Sequence, residues 1–245
     1  MPKVSVIIPA AGASSRFAGK VKKPFAVLES RPLFMRSVEV FVNRKDVIQI
    51  QLVVAPDDVD DVKRKFGPHL GLTGVKVVTG GAKRTDSVLA ALKQVKDEAD
   101  LVAVHDAVRP CVSSEDVDRV IRAAAEHGAA ILAAPLADTL KQSDDGKHIS
   151  ATLDRKGLWL AQTPQVFSRR LLERAYANAA NVPDATDDAR LVEALGEKVA
   201  LVPGNLMNMK VTLPGDLKLA RAILKALPKP KPKGPLGPYE EDKMW

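Results

Sequence analysis

A chain of 245 residues is long enough to bury a sizeable core, and it fits one α/β domain as well as two small ones. Its residues are 46% hydrophobic and only 4% aromatic, the balance of a Val, Leu, Ala and Ile core in a parallel sheet covered by helices, and no stretch approaches the roughly 18 apolar residues of a membrane span. The formal charge of +7 comes without a stacking platform of aromatics or a dense basic run in the folded region, which favours anionic small substrates over nucleic acid.

Residues 4–8 form an apolar run, a predicted strand, which ends at Pro9-Ala10-Ala11-Gly12-Ala13-Ser14-Ser15-Arg16 with Lys20, Lys22 and Lys23 close behind. Small residues after a buried strand let backbone N–H groups approach an anion, and an Arg and a Lys add full charges to the same spot. The pattern therefore points to a polyphosphate site; the alternative is a small-residue turn that packs strand on helix, with surface lysines beyond. It is neither Gly-x-Gly-x-x-Gly nor a loop ending in Gly-Lys-Ser/Thr, so dinucleotide-binding and P-loop readings lose ground. No cleavable apolar region precedes this strand, and the single Cys111 forbids an internal disulfide, so a cytoplasmic location is expected. Cys111 itself reads as a small buried hydrophobe.

Pro32 opens a predicted helix with Leu33, Val38, Phe41 and Val42 on its apolar side, and residues 50–54 form a second strand. A helix over 57–66 is expected to stop at Gly67-Pro68, before a third strand at 75–78 and a helix over 85–95. The fourth strand, 101–104, leads to a helix started by Ser113, striped by Val117, Val120, Ile121 and Ala124, and stopped by Gly128. A strand at 131–134 follows. Residues 136–160 lack a helical period and carry a turn signal, Asp144-Asp145-Gly146, between extended pieces at 139–141 and 149–153, which predicts a projecting β-arm. Helices over 168–179 and 187–195, a strand at 199–202 and a helix over 215–227 complete one folded unit over 1–227. The Pro/Lys-rich tail, 228–245, is expected to be extended or disordered. This alternation predicts a three-layer α/β fold with a mostly parallel sheet, whose ligand site lies beyond the carboxyl ends of the strands.

Two further motifs stand at such ends. Gly80-Gly81-Ala82-Lys83-Arg84-Thr85-Asp86-Ser87-Val88 is a glycine turn into a helix, with Ser87 near the helix start. After the fourth strand comes His105-Asp106-Ala107-Val108-Arg109-Pro110. Asp106 is a candidate Mg²⁺ ligand, since Mg²⁺ takes one or two carboxylates and lets substrate phosphates fill other positions. The alternative is that Asp106 pairs with Arg109 or caps a turn. His105 reads as structural, and the four scattered His residues argue against a zinc site.

In this order the motifs resemble those of the 2-C-methyl-D-erythritol 4-phosphate cytidylyltransferases of the non-mevalonate isoprenoid pathway. The resemblance runs from Pro9-Ala10-Ala11-Gly12 through Gly80-Gly81, Asp106 with Arg109-Pro110, Asp138-Thr139, Asp154-Arg155-Lys156-Gly157, Thr163-Pro164-Gln165 and Thr186-Asp187-Asp188-Ala189 to Lys210-Val211-Thr212. It implies a Rossmann-like nucleotidyltransferase fold, transfer of CMP from CTP to methylerythritol phosphate with release of pyrophosphate, and a homodimer made through the β-arm. It also implies roles. Arg16 and Lys23 would hold the triphosphate and its developing charge, with Lys210 the third catalytic candidate. The backbone of Ala10, Ala11, Gly12 and Gly81, with Ser87, would surround the cytidine, and Asp106 would hold Mg²⁺. Thr139 and Arg155 on the arm, with Lys210, would hold the acceptor phosphate, with Arg109 and Thr163 nearby. The family's usual Pro-Lys-Gln reads Lys22-Lys23-Pro24 here, so Lys20 and Lys22 stand as alternatives to Lys23; Ala13, Ser14 and Ala82 also depart from the pattern. A cytidylyltransferase for another polyol phosphate, such as ribitol 5-phosphate, and a non-catalytic nucleotide-binding homologue are the competing readings.

Overall fold

The computed structural model describes residues 1–12, 21–183 and 185–228. Arg16, Lys20, Ala13 and Ser14 therefore lie outside the described residues, as does all but the first residue of the Pro/Lys-rich tail.

Strand β1 (Val4–Pro9) shows why the chain folds as layers. Val4, Val6 and Ile8 pack into one core and Ile7 into another, so both faces of the strand are buried and its sequence reads as an apolar run with a single polar residue. The exception, Ser5, is also buried and donates its hydroxyl to Gln49 Oε1 at 2.9 Å. After a small hairpin, β2 (Val27–Leu28) and β3 (Arg31–Pro32), come α1 (Leu33–Glu39), β4 (Val47–Val54), α2 (Val59–Leu72), β5 (Val75–Thr79), α3 (Arg84–Leu92), β6 (Leu101–Val104), α4 (Ser114–His127) and β7 (Ala129–Pro135). The arm strands β8 (Leu140–Gln142) and β9 (Ala151–Leu153) precede β10 (Trp159–Ser168), α5 (Arg169–Ala177), α6 (Asp188–Glu193), β11 (Ala200–Pro203) and α7 (Asp216–Ala226).

Seven of these strands form one sheet in the order β11-β7-β10-β6-β1-β4-β5. All its pairings are parallel except those of β10, which runs antiparallel between β6 and β7. Helices α1, α2 and α4 cover the Val4–Val6–Ile8 face, α3, α5 and α6 the Ile7 face, which makes the expected three layers. A third cluster packs α7 on the β2–β3 hairpin through Ala26, Leu28, Leu33, Val211 and Ala220, and Cys111 is buried within it as expected.

Helix α4 forms as its sequence predicts: the Ser113 side chain accepts a hydrogen bond from Asp116 N, and Gly128 ends the helix at φ +81°. Helix α2 does not stop at Gly67-Pro68 but runs on to Leu72. Proline removes one helical donor, yet Val62 and Leu70 are both buried, and burying the second of them favours continuing the helix over the break. Strand β10 is absent from the predicted elements. Gln162, Thr163, Pro164 and Gln165 interrupt its apolar run, and a register shift between Ala161 and Gln165 opens its pairing with β7 where Pro164 has no N–H to give.

Candidate active site

The carboxyl ends of β1, β5 and β6 open onto one cleft, lined by Pro9 to Gly12, Lys23, Pro24, Arg84, Ser87, Asp106 to Val108 and Lys210. Two short backbone bonds fix its floor: Ala10 N donates to Val53 O and Gly80 N to Val54 O, each at 2.7 Å. The turn after β5 has no room for side chains. A Cβ on Gly80 would stand 2.7 Å from Ser87 Oγ and 3.0 Å from Ala11 Cβ, and one on Gly81 would stand 2.4 Å from Asp86 Cβ. Ser87 Oγ accepts from Gly81 N at 3.2 Å and donates to Lys83 O at 3.1 Å, so its hydroxyl shapes the glycine turn. The Asp86 carboxylate accepts from Lys83 N at 3.0 Å and caps α3.

Lys23 begins a short 3-10 turn anchored by buried Pro24 and lines the cleft. Lys22 is turned elsewhere, its ammonium 2.7 Å from Asp58. Of the two described lysines, Lys23 is the one that belongs to the site.

Asp106 is the electrostatic centre. Lys210 Nζ lies 2.8 Å from its carboxylate, and the Nε atoms of Arg84 and Arg109 each lie 3.7 Å away. Burial alone would raise this carboxyl, but the charges of Lys210, Arg84 and Arg109 outweigh it and hold Asp106 well below the usual carboxylate range. Pairing with Arg109, weighed above as the alternative role for Asp106, is thus one of three such contacts.

Beneath Asp106 runs a buried relay. Asp106 N donates to Thr163 Oγ1 at 3.0 Å, and that hydroxyl lies 3.1 Å from His105 Nδ1. His105 Nε2 lies 3.1 Å from Arg109 O. A carbonyl only accepts, so Nε2 carries the proton and Nδ1 accepts from Thr163. Burial pushes the His105 imidazole down to about 4, which keeps it neutral and structural. Thr163, expected near the acceptor, thus spends its hydroxyl supporting the Asp106 loop. Arg109 likewise donates to Asn208 O at 2.7 Å and Ala161 O at 3.3 Å.

Arg84 stands in the glycine-turn motif, which by itself assigns it no role. Its Nη2 lies 2.6 Å from Asp188 Oδ2, while the other oxygen of this fully buried carboxylate accepts from Tyr176 OH at 2.5 Å. Burial would lower the Arg84 guanidinium, but Asp188 and Asp106 raise it above its ordinary value. The partner sits 104 residues away on α6, a distance over which local pattern carries no signal.

Thr139 and Arg155 are exposed on the arm and do not line the cleft; Arg155 donates to Ala137 O within the arm. Among the described residues, no group of three or more His, Cys, Asp or Glu is placed to hold a metal ion. Asp106 is a single ionised carboxylate at the cleft, the donor set that Mg²⁺ accepts when phosphate oxygens and water complete its shell, so the residues fit that ion.

Residues 4–226 match the family described as 2-C-methyl-D-erythritol 4-phosphate cytidylyltransferase. The chain belongs to this family. A 2-C-methyl-D-erythritol 4-phosphate cytidylyltransferase from Rhodopirellula baltica is 45% identical over 233 residues, covering 90% of this chain and 94% of that protein. One from Syntrophus aciditrophicus is 42% identical, covering 91% and 97%. The crystal structure of the Thermus thermophilus 2-C-methyl-D-erythritol 4-phosphate cytidylyltransferase superposes with a TM-score of 0.76 at 37% identity, over 91% of this chain and 99% of that one. The family drawn from the motifs is therefore the right one, and the chain is a cytidylyltransferase.

Proposed function

We propose that the cleft catalyses transfer of CMP from CTP to 2-C-methyl-D-erythritol 4-phosphate, and that Lys23, Lys210 and Asp106 carry the charge balance of the step. The observation behind this reading is their convergence, with the Ala10–Gly12 backbone and Ser87, on one cleft at the carboxyl ends of the sheet; Gly81 stands behind that lining and is bonded to Ser87 Oγ. An oxygen of the acceptor phosphate attacks the α-phosphorus of CTP; the bond to the bridging oxygen breaks, and its electron pair leaves with pyrophosphate. Both phosphates are already ionised, so the step needs positioning and charge neutralisation rather than a nucleophilic or acid–base side chain. Lys23 meets the charge that develops on the leaving group, a role the family resemblance gives also to Arg16. Lys210 leaves Asp106 for the phosphates. Ala10, Ala11, Gly12 and Gly81 offer backbone to the nucleoside. Asp106 is the residue that would hold Mg²⁺, which when bound supplies further neutralisation of the triphosphate.

The acceptor side is completed by Thr139 and Arg155 of a partner subunit's arm in a homodimer. Support comes from apolar side chains exposed on the arm, with Ile149 at 65% and Leu153, Leu158 and Leu160 at 43–44% exposure, a surface that a second subunit would cover. No helix among the described residues is long and apolar enough to cross a membrane.

The test is pyrophosphate release from each of the four NTPs with Mg²⁺ and a panel of polyol phosphates. CTP with methylerythritol phosphate is expected to give the highest kcat/KM. Preference for ribitol 5-phosphate, or no turnover with any pair, would overturn the reading.

A further inference from the structure

Lys210 reaches the cleft from an irregular loop that follows edge strand β11, and the loop's placement depends on one buried amide. Asn208 is 1% exposed. Its Nδ2 donates to Thr163 O at 2.9 Å and to Gln162 Oε1 at 3.2 Å, both on β10, while its backbone carbonyl accepts from Arg109 Nη1 at 2.7 Å. Gln162 Nε2 returns a bond to Asn205 O at 2.8 Å, and Val211 N donates to Val108 O at 2.9 Å just beyond. Two residues from Asn208 stands Lys210, its ammonium 2.8 Å from Asp106.

This frame carries a cost. Asn208 Oδ1 is buried without a hydrogen-bond partner among the described residues, a cost that an apolar loop anchor would avoid. An apolar anchor would also be non-directional and free to slide, whereas two bonds from one amide hold the loop in a fixed register against β10. Thr163 takes part twice, through its carbonyl to Asn208 and through its hydroxyl to Asp106 N, so the loop of Lys210 and the loop of Asp106 hang from the same residue.

We propose that Asn208 is a positioning residue for catalysis: its side chain fixes the point from which Lys210 reaches Asp106 and the substrate phosphates. The inference rests on the reading of Lys210 given above. A misplacement of about 1 Å costs on the order of 100-fold in a reaction governed by positioning, so losing the amide is expected to act through Lys210 even though Asn208 lies outside the cleft lining.

A double-mutant cycle of Asn208→Ala and Lys210→Ala tests this, with kinetics, CTP affinity by calorimetry and thermal melting measured on all four proteins. Asn208→Ala is expected to lower kcat/KM for methylerythritol phosphate by roughly 10- to 100-fold with CTP affinity within about two-fold of the parent, and to add no more than about two-fold once Lys210 is already Ala. An additive cycle with Lys210→Ala impaired would overturn the positioning role alone, as would equal losses in CTP affinity and acceptor turnover. Near-normal turnover of Lys210→Ala would instead overturn the reading of Lys210, and this inference with it. Should Asn208→Ala fail to fold, Gln162→Met removes the Asn208 and Asn205 bonds to Gln162 from the β10 side, leaves the bond to Thr163 O, and must show a smaller loss with the same non-additivity.

Discussion

Lys22 and Lys23 are neighbours with the same chemistry, and only their surroundings distinguish them. The ammonium of Lys22 is held at Asp58, whereas Lys23 lines the cleft. Lys23→Ala is expected to lower kcat by on the order of 100-fold or more while weakening CTP binding far less, because a charge that meets the leaving group acts chiefly in the transition state. Lys22→Ala is expected to leave both within about two-fold, since an exposed ion pair contributes little. Steady-state kinetics beside CTP calorimetry decides this, and the reverse pattern would move the catalytic lysine to position 22. The sequence left Lys20 and Lys22 beside Lys23 and could go no further; Lys20 lies outside the described residues, and between the other two side-chain direction follows from buried Pro24 and from Asp58, 36 residues on. Arg84 illustrates the same limit: a cation after a glycine turn is ordinary, and its partner Asp188 becomes visible only when α6 packs beside it.

Among the elements, those with two apolar faces or a marked cap were legible. β1, β4, β6 and α4 each follow from local physics: predominantly apolar runs for doubly covered strands, a serine cap and a left-handed glycine for the helix. Strand β10 was hidden because its centre is polar, and its polar groups are satisfied only by distant partners such as Asp187, which accepts from Gln165 Nε2 at 2.7 Å. The same reasoning predicts how the turn between β5 and α3 responds to substitution. Gly80→Ala is expected to lower stability by about 1–3 kcal/mol, because its Cβ would press on Ser87, Ala11 and Val53 at once. Gly12→Ala meets nothing within 4 Å among the described residues and is expected to stay within about 0.5 kcal/mol of the parent while weakening CTP binding, since Gly12 lines the cleft. Urea unfolding paired with CTP titration separates these effects; equal stability losses would show that the crowding at Gly80 relaxes freely.

On the scale of the whole molecule, the arm and the cleft are parts of one active site only if a partner subunit brings them together. In that arrangement Arg155 and Lys23 of a given site come from different chains. Mixing Arg155→Ala and Lys23→Ala proteins under subunit exchange is then expected to restore about a quarter of the normal sites, because half of the dimers are mixed and each holds one intact site. No recovery despite verified exchange would place both residues in one chain's site. The antiparallel strand β10 has a different consequence, for the order in which the sheet can be completed. Both neighbours of β7, β10 and β11, are synthesised after it, and β10 also separates it from β6. A nascent chain that ends before Trp159 therefore holds β7 with no strand to pair on either side, next to a finished β6-β1-β4-β5 block with an open edge. Insertion of β10 joins β7 to that block in one event and brings the Thr163 support under Asp106, while β11 and the Lys210 loop beyond it are added afterwards, so the far edge of the sheet and the Lys210 cation of the cleft are the last of these parts to be synthesised.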